Sequence, residues 1–318
     1  MKHTNIERSS PQSRAVREDT RGFRASCERP DAVPLQDRRL AIVGMMENGY
    51  AQYVRREGDV FASAEMGGVT AEVVSIAGAT PDCNLLFLHG GAYFLGSPQT
   101  ARPITVSLAR LANARVFAPD YRLAPEHRFP AAVDDSFAAY KYLLEVEGID
   151  PATLFLGGDS CGVNLAYGAL LKARTVGLPM PRGMVCFSPW LDLTSSLPSF
   201  RANAQLDEFV HVNIVDSWVT QYMGEESWAH PLASPLGADL RGMPANFIAC
   251  GNTEVWHDDA TVLAHRLDRL GVDVELEVWK DMPHVWPIFA GQLPEADEVL
   301  RNAAQFMRRH LSGSASPH

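Results

Sequence analysis

Cysteine is scarce and unpatterned in this chain. The five residues Cys27, Cys83, Cys161, Cys186 and Cys250 are odd in number, irregularly spaced and without a C-x-x-C pair. Three of them sit in apolar or glycine-rich runs, so the expectation is buried free thiols in a reducing compartment rather than a disulfide framework. No run of about 18 apolar residues occurs, and no transmembrane helix is expected. The stretch from Met1 to Asp31 is polar and lacks the apolar core of a secretory signal, which points to the cytoplasm. A basic excess is missing too: 28 Lys and Arg stand against 38 Asp and Glu, a net charge of −10. This argues against a nucleic-acid or anionic-membrane partner. Internal repeats and low-complexity linkers are also lacking.

What is present is a chain able to bury a large core. Of 318 residues, 46% are hydrophobic and 21% charged, the balance of an ordinary globular protein. Residues up to about Pro34 read as a loosely attached, mobile arm, followed by a helical pattern over Leu35–Tyr53. Val69–Ile76 and Asn84–His89 read as strands, paired antiparallel through the turn at Gly78–Asp82. Strands are then expected at Arg115–Ala118, Leu154–Gly157, Gly183–Ser188, Asn246–Cys250 and Val272–Trp279. Helices are expected at Pro130–Glu147, Cys161–Val176, Asp258–Leu270 and Glu295–Leu311. Such alternation implies an α/β fold, a mostly parallel sheet with helices on both faces. Between Ser188 and Gly242 the rhythm breaks into helical segments, notably His211–Met223. The expected organisation is an N-terminal arm with cap helices (1–55), a catalytic core (56–190 and 241–318) and a helical cap insertion (191–240).

The strongest local signal is Gly158-Asp159-Ser160-Cys161-Gly162, a G-x-S-x-G sequence between a short apolar strand and a helix. A serine on so sharp a turn needs a strained backbone, and the flanking glycines keep side chains clear of it. A serine hydroxyl needs an adjacent base, and the base an orienting acid, in the chain order Ser, acid, His. Among the later histidines, His284 follows a strand and precedes the last helix. His211 and His230 fall in the insertion, His265 is mid-helix, and His310 and His318 are near the chain end. Glu254, just past the strand ending at Cys250, is the acid of choice. Asp258 and Asp259 are rivals, at a helix start where carboxylates serve as caps.

His89-Gly90-Gly91-Ala92-Tyr93 follows a strand and supplies amides for an oxyanion hole. The expected donors are Gly90, Gly91 and Cys161, with His89 bracing the loop. Tyr93, Trp190, Phe209, Val210 and Trp286 are candidates for an apolar pocket wall, with Phe94 and Trp218 beside them. No residue cluster has metal-ligand logic, so no metal and no cofactor are expected.

Taken together, these motifs resemble the hormone-sensitive-lipase-like esterases of bacteria. Asp120-Tyr121-Arg122-Leu123-Ala124-Pro125-Glu126-His127, Asn164-Leu165-Ala166, Ser188-Pro189-Trp190-Leu191-Asp192-Leu193-Thr194, Ser234-Pro235-Leu236 and Met282-Pro283-His284 extend the likeness from about Val69 to Leu311. The resemblance implies an α/β-hydrolase fold with a helical cap, hydrolysis of short- to medium-chain acyl esters, and no cofactor. It leans towards the acetyl-hydrolase and lactone-hydrolase branch. Four departures stand out: Glu254 where the family has Asp, Ala92 for a third glycine, Cys161 for alanine and Val163 for glycine. The Asp120–His127 stretch is expected to buttress the active-site loops. The expected partner is a small-molecule ester, and the expected assembly a monomer or homodimer. The alternatives are a lactonase, an amide deacetylase or an acyltransferase with the same triad, and a non-catalytic binding protein on this fold.

Overall fold

The computed structural model describes residues 1–27, 34–46 and 51–312. Nine strands form one sheet: β1 (Lys2–Ile6), β2 (Asp59–Glu65), β3 (Thr70–Ile76), β4 (Cys83–Leu88), β5 (Ala114–Pro119), β6 (Leu154–Asp159), β7 (Gly183–Phe187), β8 (Ala245–Gly251) and β9 (Val274–Trp279). The helices are α1 (Gln12–Cys27), α2 (Leu35–Met45), α3 (Ala51–Val54), α4 (Arg102–Leu111), α5 (Ala131–Glu145), α6 (Cys161–Thr175), α7 (Pro198–Ala202), α8 (Val212–Met223), α9 (His257–Arg269) and α10 (Pro294–Ser312). The spatial order is β1-β9-β8-β7-β6-β4-β5-β3-β2. Only β2–β3 and β3–β5 are antiparallel.

The pleat of the central strands sorts side chains into two layers. On β4, Leu86 and Leu88 face a core shared with α5, α6 and α9. Leu85 and Phe87 face a second core shared with α4 and α10. Both layers are lined by buried apolar side chains, as the continuous apolar runs of buried parallel strands require. The sheet thereby fixes the C-terminal ends of β4, β6, β8 and β9, from which the chemistry-bearing loops rise.

Two expectations change. Residues 1–27 are not a loose arm, while residues 28–33 lie outside the described part. Residues 2–6 add a parallel strand to β9, in register from Lys2 opposite Glu275 to Ile6 opposite Trp279. Sequence pattern hides it, because Lys-His-Thr-Asn-Ile is an edge strand with little apolar alternation. Of the expected Leu35–Tyr53 helix, α2 and α3 are helical at the two ends, and residues 47–50 lie outside the described part. Finally, β3 and β4 are not a hairpin: β3 lies between β2 and β5, and β4 between β5 and β6. The partner missed for β3 is β2, an edge strand with no fully buried residue. Between β7 and β8 the insertion carries α7 and α8. Among the described residues, no helix is long and apolar enough to cross a membrane.

Candidate active site

Ser160 sits at the end of β6, one residue before α6, with φ 53° and ψ −124°. This conformation strains any residue with a Cβ, and the packing that enforces it is visible around it. A Cβ on Gly162 would meet the Leu88 carbonyl oxygen at 1.9 Å, and one on Gly158 would meet the same oxygen at 2.6 Å. Both glycines of the G-x-S-x-G sequence are therefore needed for the elbow to nest against β4. The Ser160 amide donates to the Phe187 carbonyl (3.0 Å), pinning the turn to β7.

Three loops bring the polar groups together. His284 Nε2 lies 2.9 Å from Ser160 Oγ. His284 Nδ1 lies 2.7 Å from Glu254 Oε2. The backbones carrying Glu254 and His284 touch: a Cβ on Gly251 would lie 2.1 Å from the Met282 carbonyl oxygen. Ser160, Glu254 and His284 are 7%, 1% and 2% exposed, so water reaches the serine edge and little else. The other Glu254 oxygen, Oε1, accepts from the Gly251 amide and from Ser188 Oγ (2.8 Å). Ser188 Oγ in turn accepts from the Val285 amide (2.9 Å). One hydroxyl thus bridges the acid to the residue after His284. Ser188 stands inside a sequence motif, but nothing in its residue type reveals this bridging role. Asp258 and Asp259 are not members of the constellation. Asp259 accepts from the Leu191 and Asp192 amides (2.6 and 2.8 Å), and Asp258 accepts from the Ser199 amide (2.8 Å). Both carboxylates fasten the insertion to the core, where caps had been expected.

The glycine loop after β4 carries consecutive residues with positive φ: Gly91 at 121°, Ala92 at 52° and Tyr93 at 68°. Consecutive amides in such a turn gather towards one side and form an anion-binding concavity. Gly90, expected as a donor to the oxyanion, is not available for it. Its amide donates to Asp159 Oδ1 at 3.0 Å, and a Cβ at Gly90 would strike that carboxylate at 2.2 Å. No carbonyl accepts from Gly91 among the described backbone bonds. The Cys161 amide, at the first position of α6, has no intrahelical acceptor. His89 braces this loop: its Nδ1 donates to the Gly90 carbonyl (2.7 Å), its ring stacks on Tyr121 at 4.2 Å, and Tyr121 Oη donates to the His89 carbonyl (2.7 Å). The Ala124 amide donates to the Tyr93 carbonyl (2.9 Å). The Asp120–His127 stretch is therefore packed directly behind the loop.

Burial dominates the electrostatics. It pushes the Asp159 carboxyl up to about 7, against the pull of the Gly90 amide and of His284. It pushes His89 down to about 4, so the ring is neutral at physiological pH. It raises the Cys161 thiol to about 12, against the pull of the Tyr93 and Ala92 amides, so the sulfur is a protonated packing atom.

Of the expected wall residues, Phe209 is half-buried with its ring 5.7 Å from His284. Tyr93 and Trp190 are fully buried, with rings 5.6 Å apart, and Val210 is buried in the same layer. Trp190 also stacks on Trp256 (4.4 Å), whose edge meets His284 (5.0 Å). Trp286 does not belong with them. It packs into the opposite layer, 5.8 Å from Trp279, because the left-handed Val285 (φ 57°) turns the chain away directly after His284. Among the described residues, no group of three His, Cys, Asp or Glu side chains has a metal-binding arrangement.

A mostly parallel sheet with a strained serine, a histidine and a carboxylate rising from successive strand ends defines an α/β-hydrolase. Residues 85–288 match the family model described as alpha/beta hydrolase fold. An acetyl-hydrolase of Streptomyces hygroscopicus is 41% identical over 224 residues, 70% of this chain and 75% of that protein. An esterase of Acinetobacter venetianus is 34% identical over 242 residues, 76% of this chain and 79% of its own length. The solved structure of an esterase from the bacterial hormone-sensitive lipase family superimposes with a TM-score of 0.87 at 39% identity, covering 96% of this chain and all of that one. The chain belongs to the α/β-hydrolase family, on its bacterial hormone-sensitive-lipase branch.

Proposed function

We propose that the protein is a serine carboxylesterase that cleaves short- to medium-chain acyl esters, with Ser160 as nucleophile, His284 as general base and acid, and Glu254 as the orienting carboxylate. The observation that carries this reading is the unbroken hydrogen-bonded line from Ser160 Oγ through His284 to Glu254, at 2.9 and 2.7 Å. Ser160 Oγ attacks the ester carbonyl carbon as His284 Nε2 takes its proton. The carbonyl oxygen becomes an oxyanion facing the amides of Gly91 and Cys161, with Ala92 in the place first expected for Gly90. Glu254 holds the Nδ1 proton and stabilises the imidazolium that forms. Collapse of the intermediate breaks the bond to the alcohol oxygen, which leaves with the His284 proton. Water, deprotonated by His284, then attacks the acyl-serine and releases the acid.

The names of the relatives support an ester substrate, and the acetyl-hydrolase among them favours a small acyl group. Helices α7 and α8 act as the cap, with Phe209 against the base. The test is covalent trapping with diethyl p-nitrophenyl phosphate, which transfers a diethylphosphoryl group to an activated serine and releases p-nitrophenol. Mass spectrometry is expected to find one adduct, on the peptide carrying Ser160. An unlabelled protein, or an adduct elsewhere, would overturn the assignment.

A further inference from the structure

Asp207 lies in the insertion, between α7 and α8, outside every sequence motif considered above. It is 1% exposed, and both of its carboxylate oxygens are occupied. Oδ1 accepts from the Phe209 and Val210 amides at 2.8 Å each, and Oδ2 accepts from the Val255 amide at 2.8 Å. Val255 directly follows Glu254. From the same segment, Asn203 Nδ2 donates to the Glu254 carbonyl at 2.8 Å. The insertion is thus bonded to both the carbonyl and the N–H of the peptide group that joins Glu254 to Val255. Next to Asp207, Glu208 receives Arg17 on both oxygens (2.6 and 2.8 Å) and Arg21 on one (3.0 Å), which ties the same loop to α1.

A carboxylate this deep is costly unless donors and a counter-charge meet it. Burial raises the Asp207 carboxyl, while the charge of His284 and the three amides draw it back down. The groups facing His284 are Glu254 at Nδ1, Ser160 at Nε2, the uncharged rings of Phe209 and Trp256, and at longer range Asp159 from the elbow and Asp207 from the insertion.

We propose that Asp207 is a positioning residue for the Glu254–His284 pair. It locks the acid loop to the insertion, so that docking of the insertion and the placement of Glu254 against His284 are coupled. This role rests on the esterase reading above. It gives the insertion a part in the chemistry as well as in substrate selection.

In Asp207→Asn, one oxygen still serves Phe209 and Val210, but the amide group replaces the acceptor for Val255. With p-nitrophenyl butyrate, kcat is expected to fall on the order of tenfold to a hundredfold while KM stays within roughly threefold. The downfield proton resonance of the His284–Glu254 hydrogen bond should move, because the loop that carries Glu254 loses its tether. An unchanged kcat, or a lowered kcat with that resonance unmoved, would overturn the proposal, since a loss elsewhere in the fold leaves the pair in place. Should Asp207→Asn fail to fold, Asp207→Glu retains the charge but displaces the amides. A lowered kcat with KM retained supports the role, and an unaltered kcat refutes it. If the wild type itself shows no Ser160-dependent hydrolysis, the esterase reading fails first. The downfield proton resonance of the His284–Glu254 hydrogen bond then still reads Asp207: its displacement in Asp207→Asn supports the coupling, and an unmoved resonance refutes it.

Discussion

Replacing Ser188 by alanine removes a single oxygen that has two duties. Its hydroxyl donates to Glu254 Oε1 at 2.8 Å and accepts the Val285 amide at 2.9 Å, and the residue is fully buried. A hydrogen bond to an ionised carboxylate contributes about 1.5–3 kcal/mol, and a buried amide left without an acceptor costs about 1–3 kcal/mol. The two losses share one site and do not add fully, so Ser188→Ala should destabilise the fold by about 2–5 kcal/mol. Part of that loss falls on the placement of Glu254 and His284. Since about 1.4 kcal/mol of transition-state free energy is a tenfold change in rate, kcat should drop on the order of tenfold to a hundredfold. Urea unfolding followed by tryptophan fluorescence gives the first quantity, and initial rates with p-nitrophenyl butyrate give the second. A variant within about 0.5 kcal/mol of wild type, with unchanged kcat, would refute the view that Ser188 joins the acid and base loops.

Asp159 should make stability depend on pH. Its carboxyl is raised from 3.8 to about 7 by burial, so the folded chain holds the proton more tightly than the unfolded chain, and stability falls as pH rises between about 4 and 7. Asp159→Asn, which still offers an oxygen to the Gly90 amide, should be about 1–4 kcal/mol more stable than wild type at pH 8 and equal to it near pH 4. Denaturation curves at the two pH values that differ by the same amount would contradict this. Gly162→Ala places a methyl 1.9 Å from the Leu88 carbonyl oxygen, and backbone cannot rotate away. A loss of at least about 1–3 kcal/mol together with most of the activity is expected, measured by the same unfolding and rate assays. The four thiols Cys83, Cys161, Cys186 and Cys250 are buried with raised pKa. Iodoacetamide at pH 8 should leave them unlabelled in the native protein and alkylate all four in urea, because the thiolate is the reactive form. Rapid native labelling of Cys161 would show that the packing around the elbow is looser than described.

The elbow, the glycine loop and the placement of His284 and Glu254 were legible because each rests on local chain geometry. A serine flanked by glycines between a strand and a helix has few other uses, and the loops after β8 and β9 offered few side chains able to serve. The occupied amide of Gly90 was hidden, since the residue that takes it, Asp159, is 69 positions away in sequence. Trp286 was misplaced for a similar reason. Its neighbour Val285 adopts a left-handed backbone that residue type argues against, and the turn sends the indole to the far layer. The strands β1 and β2 escaped notice as sheet edges, because sequence pattern registers burial and these two are only half covered. Asp207 carried no signal at all: a lone acidic residue in an insertion looks like a solvated loop position until Val255 is found against it.

The central claim is that Ser160 is the working nucleophile of an esterase. Hydrolysis of p-nitrophenyl acetate, butyrate and octanoate by wild type and by Ser160→Ala tests it most directly. The account predicts turnover of the shorter esters by wild type and a fall in kcat of at least about a thousandfold in the variant, with the fold intact by circular dichroism. Equal rates in the two proteins, or no turnover of any ester by wild type, would contradict it.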